Sequence, residues 1–109
     1  MVKVELLGRV TADATVGEVG KYRTAKVRLA CVTDRKAENG ERITDFYNVT
    51  FWNSLADRGA HLLKGQRVCV AGNLFQRPYN RADGSTAISM DVNASDLELI
   101  DYQRKEEAQ

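Results

Sequence analysis

Five segments of the sequence alternate between apolar and polar residues, as half-buried β-strands do when one face packs on a core. They cover residues 2–10, about 22–33, 45–52, about 66–77 and 86 to about 92. A final apolar-polar segment, residues 96–100, is expected to extend the sheet or close its edge. The predicted core positions are Val4, Leu6, Val10, Ala25, Val27, Leu29, Cys31, Tyr47, Val49, Phe51, Val68, Val70, Leu74, Ile88, Met90 and Val92.

Three segments between these strands are rich in turn residues. Residues 11–20 contain two glycines and no period, so a loop is expected there. The charged segment 34–44 contains Asn39-Gly40, a strong signal for a hairpin turn. Pro78 is predicted to end the fourth strand, and residues 79–84 form the turn-rich loop that follows.

A helical spacing replaces the alternation between the third and fourth strands. Ser54 is the predicted N-cap with Asp57 in the first turn, and Gly65 stands where the helix should end. The apolar face of this short helix is Leu55, Gly59, Leu62 and Leu63. This order predicts an all-β fold, a five-stranded OB-fold barrel with one short helix between strands 3 and 4. Composition alone would also allow an open sandwich; the helix position and the two long charged loops favour the barrel.

Length and composition restrict the class of protein. A chain of 109 residues with 43% hydrophobic and 28% charged residues is expected to form one globular domain, residues 1–100, followed by a polar extension at 101–109. No apolar run approaches the roughly 18 residues of a membrane span, and the N-terminus alternates like a strand rather than a signal peptide. Cys31 and Cys69 fit no metal or disulfide pattern, so a cytoplasmic location is expected.

The net charge of +1 excludes a bulk polycation, although bases outnumber acids up to residue 95. This modest excess suits an anionic partner but does not require one.

Two large aromatic residues stand on the polar side of the third strand. Phe46 and Trp52 share this side with Asn48 and Thr50, where solvent is expected. Exposed rings need a reason. Stacking on unpaired bases is one, because every base offers a π-face that a ring can cover. Capping of the barrel or packing in a subunit interface is the alternative for both rings.

Tyr79 is a third candidate ring, since it lies in a loop between Arg77 and Arg81. There the ring would stack on a base while the arginines meet phosphates; an ordinary loop tyrosine is the alternative. Phe75, on the outer side of strand four, would extend the stacking surface or lie in an oligomer contact. The candidate basic track on the outer faces and hairpin loops is Arg9, Lys26, Arg28, Arg35, Lys36, Arg77 and Arg81. Such a track makes affinity fall steeply with salt.

Catalytic and metal-binding patterns are absent from the sequence. His61, the single histidine, lacks the further ligands of a metal site and the placed partner of a nucleophilic triad. The glycines stand at turns, a helix end and a strand bend rather than in a phosphate-binding loop. A non-enzymatic protein without cofactor or metal is therefore expected.

With these elements in place, residues 2–100 resemble a bacterial single-stranded DNA-binding protein. The resemblance rests on VKVELLGRV, LAC, DFYNVTFWNSLADRGAHLLKGQRVCVAGNL, NLFQRPYNRADG and DVNASDLELI. It implies an OB-fold, a homotetramer around which single-stranded DNA wraps, and stacking roles for Phe46, Trp52 and Tyr79.

The sequence departs from the family pattern at two places. A fourth stacking ring, usually a tryptophan near the end of strand two, falls on or next to Arg35, whose guanidinium can also lie flat on a base. The chain ends in KEEAQ instead of the family's acidic-hydrophobic tip, so recruitment of replication and repair proteins is not carried over.

The function expected from this resemblance is sequence-independent binding and protection of single-stranded DNA in replication, repair or recombination. A homotetramer is expected, and a dimer is possible. Alternatives are a dimeric primosome-type accessory OB protein and an OB module that binds only protein. A phage, plasmid or paralogous version of the family would also explain the missing tip.

Overall fold

The computed structural model describes residues 1–100, which form six strands and one short helix. The elements are β1 (Val2–Val10), β2 (Thr15–Val19), β3 (Tyr22–Lys36), β4 (Arg42–Trp52), α1 (Ser54–Gly59), β5 (Arg67–Asn80) and β6 (Thr86–Leu99). The extension expected at residues 101–109 lies outside the described residues. Within residues 1–100, no helix has the length and apolar character needed to cross a membrane.

Five of these strands close into a ring. The strand order is β1-β5-β6-β4-β3, and β1 pairs again with β3 through Arg9 opposite Ala30. The pairing of β4 with β6 is parallel, with Asn48 opposite Asp91, and the other pairings are antiparallel. The remaining strand, β2, pairs with β3 and lies outside the ring. This ring, with α1 between β4 and β5, confirms the predicted OB-fold.

The core fills the inside of the ring, because successive side chains of each strand alternate between inside and outside. The largest fully buried side chains are Phe51, Leu29, Leu62, Leu97, Val10, Val49, Val68, Val70 and Val92. Helix α1 closes against this core at Gly59, where an added Cβ would lie 2.5 Å from Cδ2 of Phe51. Glycine is thus what lets the helix come so close to the Phe51 ring.

Two predicted strand boundaries are wrong. Residues 15–19, expected as loop, form β2 by pairing with β3, and all five are exposed. Such a strand has no buried face, so no alternation marks it in the sequence. Pro78, expected to end the fourth strand, lies inside β5 opposite Ile88. Because β1 pairs with β5 only as far as Leu74, Pro78 lies beyond that ladder, where a missing N–H is tolerated.

Four local predictions around the core are also wrong. The helix ends at Gly59 rather than just before Gly65. The N-cap is Asn53 rather than Ser54, and the Asn53 side chain makes no capping hydrogen bond. Leu63, expected on the buried face of the helix, is exposed, as is Ile88. Ile88 is exposed because β5 and β6 continue as a hairpin past the end of the core. The turn predicted at Gly40 is confirmed: φ is 85° there, in the left-handed region that glycine adopts without strain.

Candidate nucleic-acid interface

The outward side chains of β3, β4 and the β5–β6 hairpin form one continuous surface, which we name the aromatic face. Cross-strand pairing sets its rows: Arg28 lies opposite Asn48, which lies opposite Asp91. In the neighbouring rows Lys26 is opposite Thr50, and Arg77 is opposite Ser89. The aromatic face comprises Lys26, Arg28, Phe46, Asn48, Thr50, Trp52, Phe75, Arg77, Tyr79, Ser89, Asp91 and Asn93.

A cleft of about 430 Å³ opens at the end of this face that carries Phe46 and Tyr79. Both rings line it, and both are exposed, by 44% for Phe46 and 43% for Tyr79. The Arg28 guanidinium carbon lies 4.4 Å from the Phe46 ring centroid, a cation–π contact that orients the arginine over one side of the ring. The cleft therefore combines two rings with a cation held at its wall.

Four polar side chains form a hydrogen-bonded network on the aromatic face. Asn48 Nδ2 donates to Ser89 Oγ at 2.9 Å and to Asp91 Oδ1 at 3.3 Å. Ser89 Oγ also donates to Asp91 Oδ1, and Arg77 Nε donates to Asp91 Oδ2 at 2.9 Å. Because the donors converge on one carboxylate, Asp91 fixes the positions of the other three side chains.

Burial of Asp91 raises the pKa of its carboxyl, but the hydrogen bonds from Ser89, Arg77 and Asn48 and the charge of Arg77 outweigh it. The net pKa is below the ordinary value, so the carboxylate is ionised at neutral pH. Its negative charge offsets the positive charge of Arg77 in the middle of a surface that also carries Lys26 and Arg28.

A second cleft, of about 410 Å³, continues from the first toward Thr50 and Lys26. The two clefts share Arg28, Asn48 and Arg77 as lining residues. They form one groove that follows β4, which spans about 20 Å from Phe46 to Trp52 at roughly 3.3 Å per residue.

Trp52 lies two residues beyond Thr50 on the same side of β4, is half-buried, and is held on two sides. Its indole Nε1 donates to Asn93 Oδ1 at 3.0 Å. Its ring meets Tyr22 edge to face, with centroids 6.3 Å apart and an angle of 82° between the planes. These contacts fix the orientation of Trp52 at the end of β4, whereas Phe46 lies near the middle of that strand.

The predicted cations divide into three groups in the structure. Lys26, Arg28 and Arg77 lie on the aromatic face between the rings. Arg9 turns away, since its Nη1 donates to the Gly65 carbonyl at 2.8 Å. Arg35 is held by Asp45, whose two carboxylate oxygens accept from its Nη2 at 2.8 and 2.9 Å.

Lys36 and Arg81 stand near the tips of two hairpins. Lys36 ends β3 opposite Arg42, and the backbone N–H of Arg81 donates to the Ser85 carbonyl at 2.7 Å in the turn after β5. Both remain candidates for backbone contacts that lie away from the centre of the groove.

Sequence reasoning missed the polar network and Tyr22. Ser89, Asp91 and Asn93 alternate with the predicted core residues of the last strand, so their outward direction was readable from the sequence. Tyr22 likewise shares the parity of Lys26 and Arg28. The parallel pairing of β4 with β6 was not readable, and that pairing is what brings the network together.

Metal ligands do not cluster on this surface. Among residues 1–100, no group of three or more histidine, cysteine, aspartate or glutamate side chains could hold a metal ion.

An OB-fold with exposed rings, cations and amides in one groove defines a nucleic-acid-binding module. The family model described as the Single-strand binding protein family matches residues 1–100. The chain belongs to this family.

Two curated relatives extend along most of the chain. A protein named Single-stranded DNA-binding protein 2, from Streptococcus agalactiae, is 34% identical over 101 residues, covering 91% of this chain and 76% of that protein. Single-stranded DNA-binding protein 1 of Clostridium acetobutylicum is 26% identical over 108 residues, covering 96% of this chain and 98% of the relative.

A solved structure shares the fold. The small single-stranded DNA-binding protein from Streptomyces coelicolor superposes with a TM-score of 0.75 at 23% identity, covering 90% of this chain and 93% of that one. At this identity the likeness concerns the fold alone.

Proposed function

We propose that the protein binds single-stranded DNA with little sequence preference, acts by binding alone, and protects the strand during replication, repair or recombination. The observation that carries this proposal is the groove along β4, which is lined by Phe46, Tyr79, Lys26, Arg28 and Arg77. Trp52 lies on the same side of β4, two residues beyond Thr50. Membership of the single-strand binding protein family supports the same substrate.

In this mechanism the rings bind bases and the cations bind the backbone between them. A base stacks on the exposed side of Phe46 while Arg28 covers part of the ring, and Tyr79 lies across the same cleft. Stacking is tolerant of sequence because each of the four bases has a π-face. Phosphates then meet Lys26 and Arg28 on β3, which run beside the ring-bearing strand.

Asp91 serves this mechanism as a positioning residue. It holds Arg77 through Nε, and the Nη groups of Arg77 carry the further donors that a phosphate accepts. It also holds the Asn48 amide, whose oxygen is the acceptor available to the edge of a stacked base. Both side chains are therefore set before DNA arrives, which lowers the entropy lost on binding.

The proposed assembly is a homotetramer, with a dimer as the alternative. Its support is the opposite outer surface, where Leu7 is 64% exposed and lies across from Cys69 and near Ala71. Small and apolar side chains of this kind suit a subunit contact better than a DNA groove. The proposed place of action is the cytoplasm, at the nucleoid, where single-stranded DNA arises.

The proposal is tested by titrating oligo(dT) while following the fluorescence of Trp52, the single tryptophan of the sequence, at several salt concentrations. We expect strong quenching, and an affinity whose logarithm falls with the logarithm of salt with a slope of roughly −2 if Lys26, Arg28 and Arg77 each neutralise one phosphate. Duplex DNA of equal length is the matched control and should bind more weakly.

Absence of quenching and of binding at low salt would contradict the proposal and favour an OB module that binds only protein. Mass determination in solution, with and without DNA, separates the tetramer from the dimer of a primosome-type accessory protein.

A further inference from the structure

Tyr22 lies beside Trp52, the last residue of β4. The resemblance implies no function for Tyr22, and Tyr22 does not belong to the mechanism proposed above. Tyr22 is the first residue of β3 and lies an even number of residues before Lys26 and Arg28. Side chains at such positions point to the same side of a strand, so that of Tyr22 also points outward. The ring touches the Trp52 ring edge to face at 6.3 Å, yet 45% of Tyr22 remains exposed. An exposed ring beside a proposed stacking ring is available to a second base.

The backbone around Tyr22 is held in place by contacts on the far side of the strand. The backbone N–H of Arg23 donates to Asn53 Oδ1 at 3.2 Å, and the Asn53 N–H donates to the Arg23 carbonyl at 2.9 Å. The Arg23 side chain turns toward α1, where its Nη2 lies 3.0 Å from Asp57 Oδ2. Tyr22 therefore projects from a strand end that is fastened to the start of the helix.

A cation accompanies this ring as Arg28 accompanies Phe46. Lys21 Nζ lies 5.7 Å from the centroid of Tyr22, within the range of a cation–π contact. A ring with a neighbouring cation can cover a base and meet its phosphate together.

The other end of β3 gives the reason for needing such a ring. The position where the resemblance places a fourth aromatic residue falls on or next to Arg35, and the Arg35 guanidinium is bound to Asp45. A guanidinium held at a carboxylate is a poorer stacking partner than an open ring, because stacking on a base competes with the ion pair. β3 thus lacks a ring at its Arg35 end and has an exposed one at its Tyr22 end.

We propose that Tyr22 is a fourth base-stacking residue, with Lys21 as its phosphate contact, and that it extends the strand's path beyond Trp52. This inference rests on the proposed function and names a binding residue within it. The planes of Tyr22 and Trp52 differ by 82°, so bases stacked on the two rings lie nearly perpendicular. The DNA strand consequently turns at this point, away from the line of β4.

Two substitutions test the role of the ring. Tyr22→Leu keeps an apolar side chain but removes the π-face, and Tyr22→Phe keeps the ring. We expect the leucine variant to bind a fluorescein-labelled dT oligonucleotide roughly tenfold more weakly, and the phenylalanine variant to bind like the unmodified protein, by fluorescence anisotropy. Thermal unfolding of both variants shows whether the strand end remains folded.

A double variant separates stacking on Tyr22 from bracing of Trp52. If Tyr22 binds a base itself, Tyr22→Leu weakens binding by a similar factor in the protein and in a Trp52→Leu background. If it only steadies Trp52, the loss disappears in that background, and the proposal for Tyr22 is overturned.

The remaining outcomes distinguish the two proposals. Unchanged affinity of Tyr22→Leu together with weakened Trp52→Leu would overturn the role of Tyr22 and leave single-strand binding intact. No binding by the unmodified protein at low salt would overturn both.

Discussion

The two outer surfaces of the ring share one core but differ in chemistry. The aromatic face presents rings, cations and amides along β4. The opposite surface, which we name the β1 face, is formed by β1 with the start of β5 and the end of β6. Its pairs run Glu5 to Ala71 to Asp96 and Leu7 to Cys69 to Glu98. Its outward positions mix these carboxylates with Lys3 and Arg9, and the small side chains of Cys69 and Ala71 cannot stack on a base. The candidate interface is therefore defined by outward side chains rather than by the fold.

A substitution in the shared core should destabilise the whole fold and therefore both faces. This is the largest effect that we expect. Phe51→Ala removes a fully buried ring of β4 that packs against Gly59 of α1. This should lower the free energy of unfolding, measured by urea denaturation, by about 3–5 kcal/mol. Glu18→Ala, on the fully exposed strand β2, should change it by less than about 0.5 kcal/mol. A loss below about 1 kcal/mol for Phe51→Ala would mean that β4 is not anchored by this ring.

Removing an aromatic ring from the aromatic face should weaken DNA binding, whereas a substitution on the β1 face should not. Phe46→Leu and Trp52→Leu should each weaken binding of a short dT oligonucleotide by about 1–3 kcal/mol, the value of stacking per base. Leu7→Ala should bind this oligonucleotide normally, since a short strand does not require contacts between subunits. Isothermal titration calorimetry measures all three. Normal binding by both ring variants would show that the bases do not follow β4.

Removing a charge tests the same contrast with a smaller effect. Lys26→Ala, between the rings, should reduce the steepness of the salt dependence by about 0.7, the value for one phosphate on a single strand. Lys3→Ala takes an equal charge from the β1 face and should leave the slope unchanged. Equal changes for both lysines would mean that net charge, rather than the groove, attracts the DNA.

The smallest effect concerns pH. The folded-state pKa of Asp91 is lowered, so its contribution to stability is complete above the unfolded pKa of about 3.9 and is lost as pH falls through the folded pKa. The free energy of unfolding should therefore decrease on acidification below about pH 4, and less so in Asp91→Asn. Urea denaturation at pH 7 and at pH 3 measures this difference. An identical pH dependence in the variant would show that Asp91 is not the group responsible.

The alternation of apolar and polar residues predicted the five strands of the closed sheet. Each of these strands carries apolar residues that face the core, as Val27 and Leu29 do in β3. Alternation could not predict β2, whose residues are all exposed, or the continuation of β5 through Pro78. Phe46, Trp52 and Tyr79 were visible as rings in polar surroundings. The partners of the cations were not, because Arg35 with Asp45 and Arg77 with Asp91 are joined by strand pairing that parity alone does not specify.

The closure of the ring of strands also determines when the proposed binding surface forms during synthesis. Ser89, Asp91 and Asn93 all lie on β6, the last of the six described strands to be synthesised, and the parallel pairing of β6 with β4 joins residues far apart in the sequence. Folds dominated by such distant pairings form slowly, on the order of milliseconds to seconds. During synthesis, Phe46 and Trp52 therefore emerge before the strand that completes their groove. The proposed binding surface is therefore complete only after β6 has paired with β4.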